Sequence, residues 1–249
     1  MHLLLVNDDG IMAEGLRVLA KELEEDYKLT IIAPDNQRSA QSHAITLTQP
    51  LRVKKVKLEG IKSKAYSVSG TPADCVRLGL EILADDNVDL IISGINMGLN
   101  VGMDILYSGT VSAAIEANIY ELPSIAISAE DIGGVAKFHI AAKNVKEILR
   151  KSKERIKDSK IVLNVNVPYR AIQEIKGIEV CKIGGPIYDY YIMENGTNGE
   201  NIIKLKGRKD MPKEDGTDRY YINEGYITIT PLHYDLTNFE LLNEVKNWI

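Results

Sequence analysis

Two aspartates stand side by side, Asp8 and Asp9, one residue after the apolar run LLLV (3–6) and directly before Gly10. Asn, Asp and Gly end strands by making turns, so a turn alone would account for them. The sharper reading is a metal or catalytic site at the carboxyl end of the first strand. A second pair, Asp85 and Asp86, follows a helical stretch as ADDN and needs no chemistry. Position and company separate the two pairs.

The company is two further polar loops that also follow apolar runs, APDNQRSAQSHAIT (33–46) and SGINMGLNVGMDILYSGT (93–110). The first offers Ser39 and the second Asn96. With Asp8 and Asp9 these are all oxygen donors, which suits a hard divalent cation, Mg²⁺, Mn²⁺ or Ca²⁺, rather than zinc. The second loop ends at Ser108, Gly109 and Thr110 and opens a helix. Free N–H groups and the helix dipole make such an end a natural phosphate site, although a hydroxyl there is also an ordinary cap. A cation beside a phosphate site points to metal-assisted phosphoryl transfer to water. Asn7 and Gly10, which flank the aspartate pair, join the candidate phosphate and substrate contacts. So does His43 in the 33–46 loop, which could bind substrate, move a proton, or simply be solvated.

Several other machines are absent from the sequence. There is no GxxxxGK[ST] loop, no GxGxxG after the first strand and no GxSxG elbow. Aspartyl phosphatases that carry two acids at i and i+2 do not fit either, because here the acids are adjacent and position 7 is asparagine. Among the four histidines, His139 reads as helical and structural, and His2 and His233 carry no signal.

The elements that must position these residues alternate. Residues 3–6, 29–34, 88–95, 123–129 and 160–168 read as strands. Helical spacing runs through EGLRVLAKELEED, residues 71–83, 110–119 and 135–152. The stretch TPADCVRLGLEIL opens with a threonine cap, Pro72 at the first helical position and Asp74 closing a capping box. Such alternation implies an α/β fold, a doubly wound, mostly parallel Rossmann-like sheet with helices on both faces. Ligands of open parallel sheets bind beyond the carboxyl ends of the strands, where all three polar loops fall. Past Pro168 the texture turns to glycine, tyrosine and polar residues. NGTNG between two β-rich runs reads as a hairpin, residues 225–232 as a strand, and Leu241, Leu242, Val245 and Trp248 as a terminal helix. The simplest organisation is one domain over 1–249, with a core at 1–183 and a projecting C-terminal hairpin, strand and helix arm at 184–249. A lone hairpin is marginal unless it packs on something, so the arm is expected to embrace a neighbouring subunit.

Composition narrows the setting. The chain has 249 residues, 45% hydrophobic and 26% charged, with a formal net charge of −5, which implies no basic face for nucleic acid. RVKKVK (52–57) and RKSKERIKDSK (150–160) read as solvated faces. Two cysteines without CxxC pairing fit a reducing compartment. No signal peptide and no run near ~18 apolar residues is evident, so the expectation is a cytoplasmic protein.

Taken together, the motifs resemble the SurE family of survival proteins, metal-dependent 5'(3')-nucleotidases that also act as exopolyphosphatases. LLVNDDGI (4–11), APDNQRSA (33–40), SGTPADCV (69–76), SGINMGLN (93–100), YSGTVSAAIEA (107–117) and GYITITPLHYDLT (225–237) carry the resemblance, in order and over nearly the whole length. It implies a SurE-like three-layer α/β/α fold. It also implies one divalent metal per subunit on Asp8, Asp9, Ser39 and Asn96, with Asp8, Asp9 and Asn96 as catalytic residues. A nucleoside monophosphate substrate is implied, along with a cytoplasmic homodimer or homotetramer that exchanges C-terminal segments. The chain departs at Ala40, where the family usually has glycine after the metal serine. A methyl there could restrict the loop, alanine being excluded only if φ must be positive. It also has Ala117 and Asn118 where glycine often closes the SAAxEG stretch. The rival from another class is a non-catalytic, metal-dependent nucleotide sensor. A nicotinamide oxidoreductase lacks its glycine fingerprint here.

Overall fold

The computed structural model describes residues 1–197, 199–209 and 214–248. In chain order its elements are β1 (His2–Val6), α1 (Glu14–Leu23), β2 (Lys28–Pro34), β3 (Val53–Val56), β4 (Lys64–Val68), α2 (Pro72–Leu78), β5 (Leu90–Met97) and α3 (Gly109–Ile119). Then come β6 (Ser124–Ala129), a small β7–β8 pair (Asp131–Ile132, Val135–Ala136), α4 (Phe138–Lys157), β9 (Val162–Val167) and β10 (Ile178–Val180). The chain ends with β11 (Asp189–Asn195), β12 (Asn201–Arg208), α5 (Asp218–Glu224), β13 (Ile227–Leu232) and α6 (Leu242–Lys246).

Nine strands form one sheet in the order β10-β13-β9-β6-β5-β1-β2-β4-β3. All neighbouring pairs are parallel except β9 with β13 and β3 with β4. The unbroken apolar character of β1 follows from burial on both faces. Leu3 and Leu5 pack toward α1 and α4, among Leu16, Leu19, Val145 and Leu149. Leu4 and Val6 face the other layer, against Cys75 and Val76 of α2 and Ala113 and Ala117 of α3. Each of these leucines is fully buried, which stabilises the fold by about 1.5–3 kcal/mol apiece.

From β1 the chain winds outward through β2 and β4, then returns to the other side of β1 as β5. The loops after β1 and β5 therefore diverge at a topological switch point, where a crevice opens at the carboxyl ends of the strands.

The structure differs from the sequence reading in four places. RVKKVK is a solvated face and also a strand: β3 is the sheet's edge, its lysines exposed, which blunts an open edge against further pairing. The β4 segment KAYSV carries too little apolar alternation to read as the inner strand it forms. The helix expected over 71–83 ends at Leu78 and continues as a π-helical turn over Gly79–Leu83. Residues 227–232 do not belong to an arm, since β13 enters the main sheet beside β9. What projects is the β11–β12 hairpin and the tail after 232. The hairpin pairs Asn195 with Asn201 as the NGTNG loop predicts, while Asn198 of that loop lies outside the described residues. Among the described residues, no helix is long and apolar enough to cross a membrane.

Candidate metal and phosphate site

Leaving β1, the chain turns on a closed Asn7–Gly10 contact. The buried Asn7 carboxamide accepts from the Gly10 N–H at 3.1 Å and donates to the Gly10 carbonyl at 2.9 Å. Gly10 sits at φ +101°, and a Cβ there would meet the Asn36 carbonyl carbon at 3.3 Å. Asn7 and Gly10, expected as phosphate contacts, are thus engaged with each other and shape the turn that presents Asp8 and Asp9.

Asp8 is 4% exposed. Burial, with a smaller push from the Asp9 charge, raises its carboxyl to about 6, against hydrogen bonds from the Thr110 hydroxyl and backbone N–H. The Thr110 hydroxyl donates to Asp8 Oδ1 at 2.5 Å. Asp9 is also raised by burial, opposed by the Met97 N–H at 3.2 Å from Oδ2 and by Gln37 Nε2 at 3.4 Å from Oδ1. Among the described residues, neither carboxylate has a cationic side chain in ion-pair contact.

Ser39 joins this group through Gln37, whose Nε2 donates to Ser39 Oγ at 2.9 Å. The loop is laid beside β1 by the Arg38 N–H, which donates to the Asp8 carbonyl at 2.7 Å. Ala40 lies at φ +55°. The condition under which alanine was disfavoured is therefore met, and alanine occupies it all the same, at the strain cost of the small left-handed region.

Asn96 is delivered by a slip in the sheet. Ser93 pairs with Ala126 and Asn96 with Ser128, so β5 holds one residue more than β6 over that step, a bulge that re-aims the side chain. Asn96 Nδ2 donates to the Gly98 carbonyl at 2.8 Å, leaving Oδ1 as its free acceptor. Among the described residues, no three of His, Cys, Asp and Glu cluster as metal ligands. The set is instead two carboxylates, a hydroxyl and an amide. One buried and one half-buried carboxylate, both with raised proton affinity and supplemented by neutral oxygens, fit a hard divalent cation.

At the opening of α3, Ser108 Oγ accepts from the Val111 N–H at 3.1 Å as the helix cap, leaving its own proton free to donate. Gly109 lies against Asp8, and Thr110 holds Asp8 rather than facing the crevice as a phosphate ligand.

A family sequence model described as "Survival protein SurE" matches residues 3–189. The chain belongs to the SurE family. It is 50% identical over 248 residues to a Clostridium botulinum (strain 657 / Type Ba4) protein named 5'-nucleotidase SurE, covering 99% of this chain and 98% of that one. A Clostridium tetani protein of the same name is 48% identical, with both chains covered completely. The crystal structure of the SurE protein from Aquifex aeolicus superimposes with a TM-score of 0.88 at 36% identity, covering 100% of this chain and 99% of that one.

In this SurE chain His43 has a different setting from the four candidate metal donors. Its Nε2 lies 2.6 Å from Glu116 Oε2, and Arg77 Nε donates to Glu116 Oε1 at 2.6 Å. Burial pushes the Glu116 carboxyl up, but its bonds to His43 and Arg77 outweigh that and hold it below its ordinary value. His43 lines a mainly apolar cleft with Ile105, Leu106, Ile115 and Leu232, whose lining includes none of the four candidate donors. Sequence reasoning missed Gln37 and Glu116. Gln37 carries no local signal on an irregular loop. Glu116 does: it is a lone acid in the apolar helix GTVSAAIEANI, and such a residue must find partners.

Proposed function

We propose that this SurE chain is a divalent-metal-dependent phosphomonoesterase that hydrolyses nucleoside 5'-monophosphates to nucleoside and phosphate. We extend the reading to 3'-monophosphates and short polyphosphate, since a cation on these donors would engage the phosphate group that all three share. The observation that carries it is the Asp8–Asp9 pair at the switch point, one buried and one half-buried carboxylate, neither with a cationic partner among the described residues, in a family whose relatives are named 5'-nucleotidases.

Asp8, Asp9, Ser39 and Asn96 would hold the cation. A bound Mg²⁺ or Mn²⁺ supplies charge that polarises the phosphate and acidifies a neighbouring water. The protein's own residues do the rest. Thr110 fixes Asp8 in one orientation, and the Met97 N–H with Gln37 fixes Asp9. The N-terminus of α3 and the free Ser108 proton favour the negative charge that grows on the phosphate oxygens in the transition state. The exposed apolar residues of the hairpin and tail, among them Tyr191, Met193, Ile203, Leu236 and Trp248, support association into a homodimer or homotetramer.

The test is phosphate release from 5'-AMP by metal-stripped protein after Mg²⁺ or Mn²⁺ is restored, alongside Asp9→Asn. Release that needs metal and is lost in the variant is the expected result. AMP that binds with metal but survives unchanged would make the protein a sensor instead.

A further inference from the structure

Residues 97–102 connect β5 to the turn before α3 as an irregular loop, with Gly98 at φ +109° and Gly102 at φ +59°. Buried loop backbone must find hydrogen-bond partners outside any ladder. At Asn100 those partners are side chains of the sheet. The Asn100 N–H donates to Asn166 Oδ1 at 2.8 Å. Its carbonyl accepts from Asn166 Nδ2 at 2.9 Å and from Asn164 Nδ2 at 2.8 Å. Its side-chain Nδ2 donates to Ser128 Oγ at 2.8 Å. Asn164, Asn166 and Ser128 are fully buried, and Asn100 is nearly so.

Asn166 thus grips both backbone groups of Asn100, as a neighbouring strand would. Asparagines at the centre of a sheet are expensive, because their polar atoms leave water. An apolar residue at either position would fill β9 more cheaply, so stability of the strand does not account for them. What the asparagines secure is the loop, and the loop leads to the metal donors. Gly98, two residues before Asn100, accepts the Asn96 amide at 2.8 Å and donates its N–H to the Ala129 carbonyl at 2.9 Å. Met97, between them, gives its N–H to Asp9. Hydrogen bonds and the short chain segment 97–100 therefore connect Asn164 and Asn166, through Asn100 and Gly98, to Asn96 and Asp9.

We propose that Asn164 and Asn166 of β9 are positioning residues for the metal site, acting through Asn100 on the segment that carries Asn96 and the Met97 N–H. The inference rests on the metal-site reading above and deepens it. Without the clasp the Gly98 carbonyl is free to move, the Asn96 amide can rotate, and the cation loses a pre-aimed oxygen. Such outer partners hold ligands in place without touching the metal.

The experiment is Mn²⁺ binding to the full chain by titration calorimetry, well below the melting temperature, with folding verified by a thermal melt. Asn166→Ala is expected to weaken Mn²⁺ binding by about 10- to 100-fold. Thr228→Val is the control: Thr228 stands opposite Asn166 in register, and its buried hydroxyl has no hydrogen-bond partner among the described residues. It disturbs the same layer without touching Asn100, so its Mn²⁺ affinity should equal wild type whatever its melting temperature. Should Asn166→Ala fail to fold, Asn164→Ala removes one of the two side-chain donors to the Asn100 carbonyl and should weaken binding at least about threefold. A folded asparagine variant that binds Mn²⁺ as wild type does, or a Thr228→Val that weakens it equally, overturns the inference. Wild-type protein that binds no Mn²⁺ overturns the metal-site reading itself, a separate and recognisable result.

Discussion

A Cβ placed on Gly109 would stand 2.8 Å from the Asp8 Cβ and 3.0 Å from its Oδ2. The helix that holds Asp8 through Thr110 can come this close only because its first residue has no side chain. On propensity alone Gly109→Ala should help the helix, alanine being about 1 kcal/mol better than glycine inside one. The methyl must instead displace Asp8, since Pro72 Cγ at 3.2 Å obstructs the other side. We expect kcat/KM for 5'-AMP to fall by about 10²-fold, as displacements of this size do elsewhere, with far-UV circular dichroism unchanged. Wild-type turnover in Gly109→Ala would mean that the Asp8 position does not govern the chemistry.

Asp8→Asn should stabilise the metal-free protein while abolishing its response to metal. The folded-state value for Asp8 is about 6, above its ordinary 3.8. A raised carboxyl favours folding in its protonated form. The penalty on the charged form is therefore complete above the folded value and disappears below the ordinary one. At pH 7.5 the two-unit difference corresponds to about 3 kcal/mol, or a gain of several degrees in Tm for Asp8→Asn at this chain length. At pH 4 the gain should nearly vanish. Added Mn²⁺ should raise the Tm of wild type and leave Asp8→Asn unmoved. A variant that melts earlier than wild type at pH 7.5 would contradict the assignment.

The layers and the three site loops were legible in the sequence because burial on both faces writes a continuous apolar run, and each run here stops at a polar loop. β3 was hidden because an exposed edge strand has the composition of a solvated loop, as Lys54 and Lys55 illustrate. Asp8, Asp9, Ser39 and Asn96 could be picked out by donor type and position. Their supports could not. Thr110 reads as a phosphate contact at a helix start and His43 as a substrate contact, and only the folded chain turns the first toward Asp8 and the second toward Glu116. Asn164 and Asn166 alternate with valine and leucine in LNVNV, a pattern that commonly means one solvent-facing side. Here that side is covered by the loop they hold.

Glu116 ties the 33–46 loop to α3 and α2, so its removal should be felt in a defined pH window. Its folded-state carboxyl lies below the ordinary 4.5. A depressed carboxyl stabilises the fold above its ordinary value and loses that contribution as pH falls through the folded one. We expect Glu116→Gln to lower unfolding stability by about 1–2 kcal/mol at pH 7.5, discounting the half-exposed His43 and Arg77 partners. The gap between variant and wild type should narrow steadily below pH 4.5. Urea titrations of both proteins across that range supply the measurement, and a pH-independent gap would assign the loss to packing instead.

Ala40 offers the reverse experiment, a residue whose replacement should improve the fold. At φ +55° its Cβ is crowded by its own backbone, a cost of about 1–2 kcal/mol that glycine does not bear. Glycine returns part of that gain through the greater freedom of the unfolded chain, about 0.4–1 kcal/mol. Ala40→Gly should therefore leave Tm unchanged or raise it by a few degrees, and Ala40→Val, branched at Cβ, should lower it. Ser39 immediately precedes this turn and takes its direction from it. The valine variant should accordingly bind Mn²⁺ more weakly as well as melt earlier, whereas the glycine variant should keep wild-type affinity. Equal Tm values in the alanine and valine proteins would show that the backbone at position 40 leaves the left-handed region in solution.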